Sequence, residues 1–123
     1  MKIFIQYDPP NWNEYINKER SSYYGANKLK QEEKKITALS CIGKKYDGNY
    51  PVEIIFKKHF KDHRQDLDNV RVKGLLDGLV SCGVLKNDNL KHIQRIILEP
   101  IFDDIEGIEI EIKEICKNEI DTM

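Results

Sequence analysis

The sequence predicts an α/β (α+β) fold: a small mixed or antiparallel sheet of about four strands, packed with two main helices. Three observations lead there. Apolar and polar residues alternate over Lys2–Tyr7, Val52–Phe60 and Ile108–Ile115, the two-residue period of a half-buried strand. Two other stretches, Ala26–Ile42 and Asn69–Gly83, repeat apolar residues at helical spacing. The whole chain, 123 residues with 40% hydrophobic and 33% charged positions, has the size and composition of a single domain with a densely charged surface.

In chain order, the first strand places Ile3 and Ile5 on one face and Phe4 on the other, and Pro9-Pro10 ends it. From Asn11 the chain is rich in Asn, Tyr and charge. A long helix follows over Ala26–Ile42, with Leu29, Ile36 and Leu39 as core candidates. Its Lys28, Lys30, Lys34 and Lys35, mixed with Glu32 and Glu33, read as a solvated surface, with phosphate contact as the alternative. Gly43 is placed to stop it, and Tyr46–Pro51 is turn chemistry. Val52–Phe60 is a second strand, with Val52, Ile54 and Phe56 opposite Ile55.

The next helix has Asp68 or Asn69 as its N-cap, buries Val72, Leu75, Leu76 and Leu79, and ends at Gly83. Asn69, Lys73 and Asp77 recur every fourth residue and so form one stripe along its flank. Gly74 and Gly78 each cost roughly 1 kcal/mol against alanine inside a helix, which close packing on a strand or a second subunit would explain, with no special role as the alternative. After the Asn87-Asp88-Asn89 loop, Ile93–Phe102 reads as a strand interrupted late by Pro100. Asp103–Gly107 reads as a hairpin-like turn, where its acidic residues Asp103, Asp104 and Glu106 serve turn chemistry. Ile108, Ile110 and Ile112 then point inward, with Glu109, Glu111 and Lys113 outward.

The net charge of -1 exerts no overall pull on nucleic acid or an anionic membrane. A polyanion would have to be held by a local basic patch or through metal ions. Cys41, Cys82 and Cys116 are odd in number, far apart and form no CxxC pair, so neither a disulfide framework nor a thiolate zinc site is suggested and three reduced thiols are expected. The opening residues are too soon interrupted to be a signal peptide, and no apolar run approaches a membrane span. A cytoplasmic protein with no membrane partner and no small-molecule cofactor is expected.

Chemistry concentrates between Arg64 and His92. Asp66 and Asp68, one residue apart, point to the same side if their backbone is extended, and Lys73 follows on the helix. Asp88 comes one helix and a short loop later, and a bend must return it to the same end. A magnesium ion takes a few carboxylates and keeps positions for water and phosphate. Such a site would polarise a phosphodiester and acidify a bound water, with the lysine offsetting developing charge. The same Asp-x-Asp pattern also suits helix capping without metal, because carboxylates favour a helix N-terminus. Lys57, Lys58, Lys61 and Arg64, with Arg71 and Lys91, are the candidate phosphate contacts; surface lysines without function are the alternative. His59 and His63 fall at a strand end and do not read as a zinc pair, and His92 reads as packed or solvated.

The stretch Asp66-Leu-Asp-Asn69, Lys73, Leu76-Asp-Gly-Leu79, Gly83-Val-Leu85 and Asn87-Asp88 resembles the RusA family of Holliday junction resolvases. Pro9-Pro-Asn-Trp-Asn and Tyr23-Tyr-Gly-Ala-Asn-Lys-Leu-Lys are similar to its phage and prophage branch. The resemblance implies metal-binding carboxylates at Asp66, Asp68 and Asp88 and a catalytic lysine at Lys73, with Asn69 and Asp77 as supporting residues. It also implies a homodimer that resolves four-way DNA junctions by paired symmetrical nicks in recombination and repair, using magnesium, for which manganese substitutes. A nuclease for flaps or forks, or a junction-binding protein with weakened catalysis, are the alternatives. Two departures stand out. Lys73 follows the second aspartate by one position more than in the best-known members, about 100° of helix rotation. Asn87 replaces the first member of the family's acidic pair.

Overall fold

Four strands form one sheet in the computed structural model, which describes residues 1–21 and 23–115. They are β1 (Lys2–Ile5), β2 (Val52–Phe60), β3 (Ile93–Phe102) and β4 (Ile108–Glu114), in the order β1-β4-β2-β3. β4 is antiparallel to both β1 and β2, whereas β3 is parallel to β2, so the predicted mixed sheet is the one that forms. Asp103–Gly107 does not close a hairpin, however, because β2 lies between β3 and β4. The connection is stitched to the strand it passes: Asp103 N–H donates to the Phe60 carbonyl (3.0 Å) and His59 N–H to that of Gly107 (3.2 Å). Pro100 does not interrupt β3 either, since an edge strand tolerates a residue without an N–H.

Alternation sorts the side chains as expected. Ile3, Ile5, Val52, Ile54, Phe56, Ile108, Ile110 and Ile112 are buried in one core with Leu75, Leu76 and Leu79. The opposite face carries charge, including the Lys57–Glu111 (3.7 Å) and Arg95–Glu53 (2.9 Å) ion pairs.

Among the described residues three α-helices accompany the sheet, one more than predicted: α1 (Trp12–Ser21), α2 (Tyr23–Ser40) and α3 (Lys73–Ser81). α1 starts because Asn11 caps it. Its Oδ1 accepts the Glu14 N–H (2.9 Å) and its carbonyl the Tyr15 N–H (3.0 Å), just after Pro9-Pro10 has ended the extended run. α2 begins earlier than the expected Ala26, and its buried face differs from the predicted one. Glu33 and Thr37 are fully buried, Ile36 is partly buried, and Leu39 is exposed.

The two helical glycines explain how α2 meets α3. A Cβ on Gly74 would lie 2.6 Å from Glu33 Oε2, and one on Gly78 would lie 2.5 Å from Thr37 Cβ. The close partner is therefore α2, not a strand or a second subunit. α3 also starts later than predicted. Leu67–Asn69 form a separate 3₁₀ turn, Val70–Val72 connect it to the helix, and Lys73 is the first helical residue. Asn69 is thus off the predicted stripe, and Lys73 and Asp77 remain on it. Gly83, with φ of 84°, ends α3 as expected.

Cys41 and Cys82 are free thiols, and burial followed by the neighbouring Cys82 pushes Cys41 up to about 11. Cys116 lies outside the described residues. Among the described residues no helix is long and apolar enough to cross a membrane.

Candidate functional site

β2 delivers the chain to the candidate carboxylates through a short, self-clamped loop. Arg64 donates from its backbone N–H (3.0 Å) and from Nε (2.9 Å) to the two oxygens of Asp62, which holds that carboxyl below the usual range. The His63 ring stacks on Phe102 at 4.2 Å between centroids, which ties the loop to the end of β3. Asp66 follows in extended conformation (φ −93°, ψ 137°), and Asp68 lies inside the 3₁₀ turn. The extended backbone that would set both carboxylates on one side therefore holds at Asp66 but not through Asp68. Asp66 makes no side-chain capping bond, although it stands at the N-cap of that turn. Both aspartates are exposed, and among the described residues neither side chain joins a hydrogen bond or ion pair.

Lys73 opens α3 with an exposed side chain, its Nζ 3.4 Å from Asp77 Oδ1 one turn later. A groove between α2 and α3 runs from Trp12, Tyr15 and Arg71 past Lys30, Lys73 and Asp77 to Lys34, Ser81 and Asp88. It brings Asp77 and Asp88 to one surface. Lys30 and Lys34 join them there although the sequence favoured a solvated role for both. Their four-residue spacing, which puts them on the same face of α2, was the signal that could have found them.

Asp88 sits in a loop braced by asparagines. Asn87 Oδ1 accepts the Asp88 N–H (2.7 Å), and Asn89 Oδ1 binds the Lys91 N–H (3.1 Å) and His92 Nδ1 (2.6 Å). This loop leaves the C-terminal end of α3, whereas Asp66 and Asp68 precede its N-terminal end. A helix of nine residues spans about 13 Å. Asp88 lines the groove together with Asp77, Val80 and Ser81. Carboxylate oxygens have the chemistry a hard divalent cation requires. Among the described residues, no three His, Cys, Asp or Glu side chains gather closely enough to hold a metal by themselves, whereas a magnesium ion beside a phosphate takes only one or two protein carboxylates.

The basic run does not form the single patch that its sequence suggests. Lys57 and Lys58 project from opposite faces of β2. Lys57 meets Glu109 (4.0 Å) and Glu111 (3.7 Å), and Lys58 is buried against Asp8 (2.8 Å). Arg64 is exposed but tied to Asp62. Arg71 is fully buried, so it and Lys58 are corrected from surface phosphate contacts to interior ion-pair partners. Lys61 and Lys91 stay exposed. His59 pairs with Asp103 through Nδ1 (2.8 Å), and the Ile105 N–H donates to the same carboxylate oxygen (3.0 Å), as the turn reading of that acidic cluster expects.

Comparison with protein families gives one match that spans most of the chain. Residues 6–113 fit the family model described as endodeoxyribonuclease RusA, a span that includes β2, the carboxylate turn, α3, β3 and most of β4. A search of the curated proteins found no match. With so much of its length covered, from before α1 to the penultimate residue of β4, the chain belongs to the RusA family of endodeoxyribonucleases.

Proposed function

We infer that the protein cleaves branched DNA, with the four-way junction as its substrate, by magnesium-dependent hydrolysis that places paired symmetrical nicks. The observation that carries this reading is the pair of exposed, uncommitted carboxylates Asp66 and Asp68 leading directly to an exposed lysine at the start of α3, in an endodeoxyribonuclease family. Acidic groups nearby are otherwise engaged, Asp62 with Arg64, Glu33 with Arg71 and Asp77 with Lys73. Asp66 and Asp68 thus remain available to an external partner.

Lys73 is the group offered to the phosphate. Its ammonium would offset negative charge that builds on the phosphoryl oxygens, aided by the positive end of the α3 dipole. The groove continues this surface with Lys30 and Lys34, which would hold the DNA backbone as it leaves the reacting bond, while Lys61 and Lys91 serve as outer contacts. Asp66, Asp68 and Asp88 are the carboxylates proposed for a divalent cation. A homodimer with one site per subunit suits the two equivalent strands of a junction, since an isologous pair presents two equivalent sites.

The test is nicking of a synthetic four-way junction in magnesium, beside flap and fork substrates. Junction nicking that Asp68→Asn abolishes, with junction affinity retained, supports the reading. Equal nicking by both proteins sinks the site. Preference for flaps or forks replaces the substrate, and tight binding without cleavage in magnesium or manganese makes the protein a junction binder.

A further inference from the structure

Val70–Val72 carries the chain from the carboxylate turn into α3, and its middle residue is Arg71. Arg71 is 1% exposed, and its partner Glu33 is 0% exposed. The guanidinium donates through Nη1 to Glu33 Oε1 and lies 4.1 Å from the centre of the Tyr15 ring and 5.7 Å from that of Trp12. Gly74, one residue beyond Lys73, packs directly on the Glu33 carboxylate, where a Cβ would be 2.6 Å away. One side chain in the connector is therefore fastened to α1 and α2, at the place where the first turn of α3 rests.

This arrangement is a poor device for stability. Glu33 Oε2 and Arg71 Nε have no hydrogen-bond partner among the described residues, and burial raises the Glu33 carboxyl against the opposing pull of Arg71. Replacing a buried ion pair by well-packed apolar side chains is often neutral or stabilising, and the best-attested benefit of retaining one is a fixed register. The connector needs such a constraint. Val70 (φ −69°, ψ 128°) and Val72 (φ −112°, ψ 0°) belong to no helix or sheet ladder, so no regular backbone pattern sets how Asp66 and Asp68 face Lys73.

We propose that Glu33 and Arg71 are positioning residues of this enzyme, a buried clasp that sets the carboxylate turn against Lys73. The proposal rests on the reading of Asp66, Asp68 and Lys73 as the reacting groups. It also accounts for the shifted lysine. The additional residue between Asp68 and Lys73 falls within a stretch that is not continuous α-helix, so it does not turn the lysine by a helical step. The clasp, not helix rotation, determines where Lys73 stands.

The experiment compares wild type with the apolar double variant Glu33→Met/Arg71→Met and with Arg71→Lys, which keeps the charge but loses the planar fork and its ring stacking. Single-turnover nicking of a four-way junction, junction affinity, melting temperature and backbone order parameters are measured on each. The double variant is expected to melt at or above the wild-type temperature and to bind the junction equally well. Its nicking should slow by about tenfold to a hundredfold. The order parameters of residues 67–72 should fall from about 0.85 to below about 0.6, while those of α3 hold. Arg71→Lys should shift in the same direction by less. Unchanged order parameters, or nicking at the wild-type rate in the double variant, overturn the clasp. If the double variant does not fold, Arg71→Lys decides by the same two readouts. A wild type that nicks no branched DNA refutes the functional reading, and the order parameters then decide the clasp separately.

Discussion

Asp68 and Arg71 stand on the same short stretch, yet the fold treats their charges in opposite ways. The arginine is sealed between aromatic rings and a buried glutamate, while the aspartate faces solvent with no partner among the described residues. A buried charge with fixed partners specifies where the backbone runs, because any other path strands it without solvation. An exposed charge without partners adds little to the fold and is available to substrate. Reading both as one cluster of charged residues, as the sequence invites, merges two different kinds of work.

The contrast breaks most readily in stability. Arg71→Met leaves Glu33 buried and unpaired, and should cost about 3–5 kcal/mol in urea denaturation. Asp66→Asn and Asp68→Asn should stay within roughly 0.5 kcal/mol of wild type. Similar losses on both sides would erase the distinction. Gly74→Ala should destabilise by roughly 1–3 kcal/mol through its clash with Glu33, despite alanine's better helix propensity. Paired with Glu33→Ala the loss should shrink, which a double-mutant cycle would register.

On the exposed side, Lys30→Ala and Lys34→Ala should each weaken junction binding across sequences and lower the salt dependence of affinity by about one counterion. Arg64→Ala, whose charge is already paired with Asp62, should change the slope less. The smallest effect probes the reach of the buried charge. Burial, then the charge of Glu33, pushes the Tyr7 hydroxyl up to about 12. The unfolded chain ionises this tyrosine near pH 10 and the folded chain does not until about 12, so folding loses stability as pH rises through that window. Glu33→Gln should lower the Tyr7 transition in an ultraviolet titration toward the ordinary value.

The features legible in the amino-acid order alone are local ones. Alternation located β2 at its observed bounds and sorted the faces of β4, and the glycine after α3 marked its end, because these signals depend on residues a few positions apart. The start of α1 was equally local, written in Asn11 after two prolines, and was obscured by the polar composition around it. The candidate aspartates, Lys73 and Asp88 were legible as residue types in a family pattern.

Tertiary packing settled the remainder. β2 lies between β3 and β4 because pairing joins strands far apart in the chain, which no local turn signal reports. Arg71 is interior because Glu33 and Tyr15 come from other helices to receive it; within its own stretch it looks like one more surface cation. Asp88 shares a groove with Lys30, Lys34 and Asp77, because the path of its loop is set by packing and not by spacing. A sequence states which charges exist, and only the packing around each decides whether water, a partner or a substrate will meet it.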